Sequence, residues 1–303
     1  MTQKDYQYSV HEVVEYINWT YFFHAWGFAL RFATIADVHG CDACRATWLA
    51  SFPEEERLRA AEAMQLYKEA MRMLGEMEAG GCHIHARCRL YEAVSEGDDL
   101  IFLCGDECLR FPLLRQQMVK QKKEPHLCIS DFVRPLASGK VDRIGVFAAT
   151  VDADSVLLHT EDSYRHLLVQ TLADRLAEAS AERMHQDVRT SFWGYAPTEE
   201  LTIAQMHREE FQGIRPAVGY PSLPDLSVIF LIDKLLDLKD LNITLTENGA
   251  MIPYASVSGL MLSHPQACYF SVAPVTNEQL ADYAYRRGIN VDEIRKFLRP
   301  YML

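Results

Sequence analysis

The chain is short of positive charge, of long apolar runs and of leader-like sequence at its N-terminus, and each shortage narrows what it can be. Its 30 lysines and arginines face 42 aspartates and glutamates, a formal charge of −12. Nucleic acid and anionic membrane both demand basic protein surface, so neither is expected as a partner. A cationic ligand or a basic protein suits that balance. No apolar stretch approaches the ~20 residues that span a bilayer as a helix. The most apolar segment, TYFFHAWGFALRF from Thr20 to Phe32, falls short and is expected to be a buried helix. The opening MTQKDYQYSV has no basic region followed by an apolar run, so the expectation is a chain without a secretory leader, placed in the cytoplasm. Internal repeats and low-complexity linkers are lacking too, and 303 residues are read as one domain spanning 1–303.

Eight cysteines in such a chain are expected as thiols, not as a disulfide framework. Cys41-Asp-Ala-Cys44 has metal-ligand spacing, and Cys82-His-Ile-His85 with Cys88 invites a second half-site. Yet Cys82–Leu90 reads as a strand, whose alternation sends His83 and His85 to the face opposite Cys82 and Cys88. One CxxC without a second well-spaced pair is weak support for zinc, so structural thiols and no metal are expected.

Pro53 opens a long helix with three glutamates in its first turn, where carboxylates suit the dipole. Ala60, Met64, Tyr67, Met71 and Leu74 recur at helical spacing along it. Short β-like runs follow at Cys82–Leu90, Leu100–Cys104, Leu127–Val133 and Ile144–Val151, with Ser95-Glu-Gly-Asp98 as a hairpin turn. A helix is predicted from Asp162 to Val188 and another over Val228–Leu238. Leu260–Leu262 and Tyr269–Val272 read as strands, and helices at Asn277–Arg287 and Val291–Leu298 end the pattern. Runs of strands and runs of helices, without strict alternation, favour an α+β fold.

Two features stand out. Arg175, Glu178, Glu182 and His185 share one helical stripe beside the apolar Leu168, Leu172 and Leu176; by spacing alone this is a solvated edge, though such a stripe can line a cleft. The stretch GIRPAVGYPSLPD, Gly213 to Asp225, holds three prolines, two glycines and one arginine. It can be neither helix interior nor central strand. A structural turn accounts for its prolines and leaves Arg215 unexplained.

The run RPAVGYP, followed by LTENGAMIPYASVSGLMLSHPQACYFSV, resembles the activation domain of cobalamin-dependent methionine synthase. Further matching runs are YINWTYFFHAW, LCISDFVRPLASGKVDRIGVFAATV, LADRLAEASAERMHQDVR, FWGYAPTEELT and LADYAYRRGINVDEIRKFL. The likeness extends from about Val10 to Pro300 and is thinnest from Ile35 to Arg110. It implies a C-shaped α+β domain, with a twisted, mainly antiparallel sheet flanked by helices, that binds S-adenosylmethionine. In that family the domain restores methylcobalamin: a flavodoxin reduces oxidised cobalamin by one electron and S-adenosylmethionine donates the methyl group.

By that resemblance Arg215 holds the ligand carboxylate, and the backbone of Ala217 and Gly219, with Tyr220 beside them, meets the adenine. Pro216 and Pro221 would hold this loop in shape before ligand arrives. Tyr269, Glu178 and Glu209 match ligand-contacting positions, the glutamates facing the sulfonium and ammonium; Glu209 reads equally as a solvated helix-end carboxylate. Three departures are visible. Asn18 stands where the family has an aspartate for the ammonium. Leu226-Ser227-Val228 replaces His-Thr-Glu, and Asn248-Gly249 with Ile252 replaces Ser-Phe and Trp.

A cobalamin-binding module would need Asp-x-His-x-x-Gly; the nearest stretch, Asp37-Val-His39-Gly-Cys-Asp42, ends in aspartate and is taken as chance. The expectation is therefore a free-standing module, with no catalytic side chain of its own, acting on cobalamin held in trans by a methionine synthase subunit or other corrinoid protein. A flavodoxin-like electron donor fits that scheme. A non-catalytic S-adenosylmethionine sensor or corrinoid-protein scaffold is the alternative.

Overall fold

The computed structural model describes residues 1–118, 125–157 and 162–302. Eight strands are present among them: β1 (Thr2–Tyr8), β2 (His83–Glu96), β3 (Asp99–Cys104), β4 (Glu107–Pro112), β5 (Asp142–Asp152), β6 (Thr244–Leu245), β7 (Met251–Ile252) and β8 (Ser256–Met261). The main sheet runs β4-β3-β2-β5-β8, with β1 also on β2, and β6–β7 is a separate hairpin. The β2–β3, β3–β4 and β5–β8 pairs are antiparallel. The chain is α+β, with helices flanking this sheet.

Local chemistry explains the register. Glu96 pairs with Asp99 across the Gly97-Asp98 turn, as the sequence pattern predicts, and Gly97 takes the positive φ of 59° that the tight turn requires. The same device at Gly105-Asp106, with Gly105 at φ 70°, turns β3 into β4. β5 is buried from Ile144 through Val151, the mark of a strand covered on both faces. Cys82, just before β2, and Cys88 within it are buried while His83 is exposed and His85 half-buried, the predicted alternation.

Two compact units result, one of Met1–Tyr6, Ala86–Thr150 and Met184–Leu303, the other of Gln7–His85 and Val151–Arg183. The first centres on a core that includes Tyr91, Phe102, Phe111, Val146, Ile232 and Leu260. A smaller cluster there joins Val272, Leu280 and Tyr283 to Ile294 and Leu298, packing helix Asn277–Arg287 against helix Val291–Leu298. The second unit is built on helix Arg57–Ala79 and most of helix Ser163–Asp187. Trp19 packs edge-on against Phe22 and Tyr67 there, at 5.3 and 4.8 Å.

Four sequence expectations need correcting. Thr20–Phe32 is not one helix: helix Trp19–Ala25 stops before Gly27, whose φ of 70° breaks it, and a 3-10 segment follows at Leu30–Asp37. Leu127–Val133 is not a strand, because Asp131 folds back to accept from the Cys128 amide at 2.8 Å and coils Ile129–Phe132 into a 3-10 turn. Tyr269–Val272 is not a strand; it bonds to the Gly213–Asp225 loop through the Val272 and Phe270 amides. The buried face of Arg57–Ala79 runs through Ala60, Ala63, Leu66, Ala70, Met73 and Met77, so Met71 points outward at 39% exposure.

Candidate functional site

The Gly213–Asp225 stretch lies in the first unit as a laced edge to β8. Ile214 and Leu262 exchange backbone hydrogen bonds at 3.0 and 2.9 Å, the Leu260 amide donates to Pro216 O, and the Val218 amide donates to Ser258 O. Two glycines make this approach possible. A Cβ built on Gly259 would lie 2.1 Å from Pro216 O, and one on Gly213, at φ 85°, would lie 2.2 Å from Leu262 O. Neither position has room for a side chain.

The loop's other side is tied to Tyr269–Val272. The Arg215 amide donates to the Tyr269 hydroxyl at 2.9 Å. The Val272 amide donates to Pro221 O at 2.9 Å, and the Phe270 amide to Ser222 Oγ at 3.0 Å. Within the loop, the Gly219 amide donates to Leu223 O and the Gly219 carbonyl accepts from the Tyr301 hydroxyl, both at 2.9 Å. Ala217 is buried, and its carbonyl accepts from the Tyr220 amide. Each of these carbonyls keeps a second lone pair for another donor. Tyr220 and Tyr269 stay 47% and 36% exposed.

Charge surrounds the arginine. Its guanidinium stands 5.6 Å from the Phe147 ring centroid. Nearby, Arg189 pairs with Glu199 through contacts of 2.7 to 3.0 Å and lies 4.3 Å from the Phe211 ring. His185 meets the same ring edge-on at 4.9 Å. It is fully buried, its Nε2 stands 3.4 Å from the Tyr195 hydroxyl, and its Nδ1 has no hydrogen-bond partner among the described residues. Burial, then the cations Arg189 and Arg215, push its pKa well below 6.5, so the imidazole is neutral at physiological pH. The stripe on helix Ser163–Asp187 is thus no solvated edge: Arg175, Glu178 and Glu182 are half-buried and His185 is wholly inside.

The far end of the loop is anchored by a network that sequence reasoning missed. Asp225 caps the 3-10 turn Leu226–Val228 through the Ser227 amide at 2.8 Å. Its carboxylate also accepts from the Tyr283 hydroxyl at 2.7 Å and from Arg287 at 2.8 Å, all three side chains being nearly inaccessible. Burial and the Asp225 charge push the Tyr283 phenol well above 10. The visible signal was Pro-Asp after the loop and two arginines ending helix Asn277–Arg287, but nothing in the sequence pairs them.

The departures are local. Gly249, at φ 74°, turns the β6–β7 hairpin, and a Cβ there would sit 3.1 Å from Leu226 O. The Leu226 side chain in turn fills the space beside Gly219, 2.9 Å from where a Cβ would be. The changes at 226 and 249 therefore fit each other and border the arginine loop. Ile252 and Tyr254 stand 42% and 77% exposed.

Three assigned residues remain. Glu209, in the first unit, is exposed at φ 59° just past helix Ile203–His207, the helix-end position already allowed for it. Asn18 and Glu178 belong to the second unit. Asn18 caps helix Trp19–Ala25, its Oδ1 accepting from the Thr20 amide at 3.1 Å. Aspartate caps equally well, so asparagine here keeps the fold and loses a charge. Beside it, Tyr16 accepts from Arg183 at 2.9 Å, tying this corner to the helix that carries Glu178.

A fixed, partly exposed loop carrying an arginine, a tyrosine and oriented backbone groups, with Tyr269 hydrogen-bonded to it, defines a module suited to hold a small ligand with an anionic end. More specifically, the chain belongs to the family of the vitamin B12-dependent methionine synthase activation domain, whose model matches residues 9–288. A crystal structure of the MetH reactivation domain bound to AdoHcy is similar to it at 35% identity and a TM-score of 0.86, over 100% of this chain and 90% of that one. No helix among the described residues is long and apolar enough to cross a membrane.

Proposed function

We propose that the chain binds S-adenosylmethionine at the Gly213–Asp225 loop and supports reductive methylation of cob(II)alamin held by a separate methionine synthase subunit or corrinoid protein. S-adenosylmethionine supplies the methyl group, and a flavodoxin-like protein in the same cytoplasm supplies the electron. The observation that carries the binding step is the arginine loop, held on both sides by hydrogen bonds to its own chain. A loop already in place loses little freedom on binding.

Each group then has one task. Arg215 pairs with the ligand carboxylate as a charge-assisted contact. The carbonyls of Ala217 and Gly219 accept from the adenine, with Tyr220 and Tyr269 covering it. Glu209, and by the family motif alone Asn18 and Glu178, are assigned to the positive end. The contribution to the reaction is positioning, and residues 1–303 serve as one functional domain.

Titration calorimetry tests this. S-adenosylmethionine should bind, and Arg215→Ala should cost about 1.5–3 kcal/mol, roughly a ten- to hundredfold rise in Kd. No heat at millimolar ligand, with Arg215→Ala indistinguishable from wild type, ends the reading. Asn18 and the altered 248–252 segment favour a second reading, a sensor or scaffold without turnover. Mixing the chain with reductant, S-adenosylmethionine and a cob(II)alamin protein separates the two: methylcobalamin formation supports reactivation, and binding without product supports the sensor.

A further inference from the structure

The cysteines divide into two groups. Cys82, Cys88 and Cys128 are buried and fill core, whereas Cys41 is exposed and Cys44 half-buried, so core filling does not explain that pair. Cys41 is the N-cap of helix Asp42–Ala50, its Sγ accepting from the Cys44 amide at 3.4 Å. Cys44 lies one turn in, on the same side. The connection leading into the helix adds His39. The ligand atoms of His39, Cys41 and Cys44 all lie within 4.8 Å of one another.

Two thiols and an imidazole at that separation match the ligand set of zinc, whose tetrahedral bonds of about 2.0–2.3 Å hold its ligands a little under 4 Å apart. Soft sulfur ligands disfavour magnesium and calcium.

We propose that His39, Cys41 and Cys44 bind a zinc ion through three protein ligands, with the fourth position open to solvent. The ion pins the Val38–Cys41 connection to the first turn of helix Asp42–Ala50. This site is independent of the S-adenosylmethionine reading, and its failure would leave that reading untouched.

The untagged full-length chain, purified from zinc-supplemented cells without chelator, should carry about one zinc per molecule by elemental analysis. Cobalt(II) added to the metal-free protein should give the near-ultraviolet charge-transfer absorption of thiolate ligation. Cys41→Ser or Cys44→Ser should abolish it, and His39→Ala should weaken metal binding at least roughly tenfold. Zinc should also shield Cys41 and Cys44 from alkylation while the exposed Cys108 and Cys268 react as before. The proposal is overturned if zinc is substoichiometric and cobalt shows no charge-transfer band. It is equally overturned if alkylation at Cys41 and Cys44 ignores zinc, or if the pair is recovered as a disulfide after zinc loading. The variants alter exposed or half-buried positions, and circular dichroism checks that each is folded.

Discussion

At the scale of single residues, the chain places an uncharged imidazole where its neighbours are cations. His185 is enclosed by Arg189, Arg215, Tyr195 and the Phe211 ring, and its depressed pKa is the electrostatic consequence of burial and of the two arginines. The unfolded chain takes up a proton as pH falls through about 6.5, while the folded chain does not. The unfolded state therefore binds more protons in that range, and the stability His185 contributes is present above it and is lost as pH falls. The slope approaches about 1.4 kcal/mol per pH unit for one proton. Denaturant unfolding of wild type and His185→Phe from pH 7.5 to 5 isolates this contribution, because the other titrating groups are common to both. Wild type should lose stability more steeply on acidification, and parallel curves would show that His185 takes up its proton while still folded.

At the scale of elements, the decisive contact is between a loop and a strand. Gly259→Ala puts a methyl group 2.1 Å from Pro216 O and 2.8 Å from the Ala217 Cα, so the loop must leave β8 or the strand must distort. Such overpacking costs about 1–3 kcal/mol. The expected result is a lower denaturation midpoint together with weaker S-adenosylmethionine binding, whereas unchanged values of both would mean the loop is not held as described. The need for Gly259 was invisible in the sequence, where it is merely the end of a Val-Ser-Gly run, because its constraint comes from a segment more than forty residues earlier. The same limit accounts for two other misses. Tyr269–Val272 has strand-like composition, but its partner is the proline-rich loop, and Asp225 meets Arg287 only through the fold. What was legible is what nearby residues decide: the Gly97-Asp98 turn, the β2 alternation, the helices from Ser163 and Asn277, and a loop that cannot be regular. That Arg215 and Tyr269 meet was legible only through the family motif, which supplied both residues but not the amide-to-hydroxyl bond that joins them.

At the scale of the whole molecule, the relevant quantity is the field that 42 acidic and 30 basic side chains create. S-adenosylmethionine carries one net positive charge, from its sulfonium and ammonium less its carboxylate, while AdoHcy, which has lost the methyl group and the sulfonium charge, is neutral overall. In the proposed binding mode, contacts to adenine, ribose, ammonium and carboxylate, the Arg215 contact included, are common to both ligands and cancel in the ratio of the two affinities. What survives is the field at the sulfur. A net charge of −12 acting over about a domain radius is worth roughly 0.5 kcal/mol on a unit charge once screened at about 0.1 M salt. That corresponds to about a twofold factor in Kd, and screening removes most of it at high salt. If the chain binds both ligands as proposed, the ratio of the AdoHcy Kd to the S-adenosylmethionine Kd should therefore shrink by up to about twofold as sodium chloride is raised from about 0.1 M to about 0.5 M. Calorimetry with both ligands across that series measures it. A ratio that stays flat would place the discrimination in short-range contacts at the sulfur alone, and one that grew with salt would mean that the arginines at the loop, not the acidic surface, dominate the field where the methyl group sits.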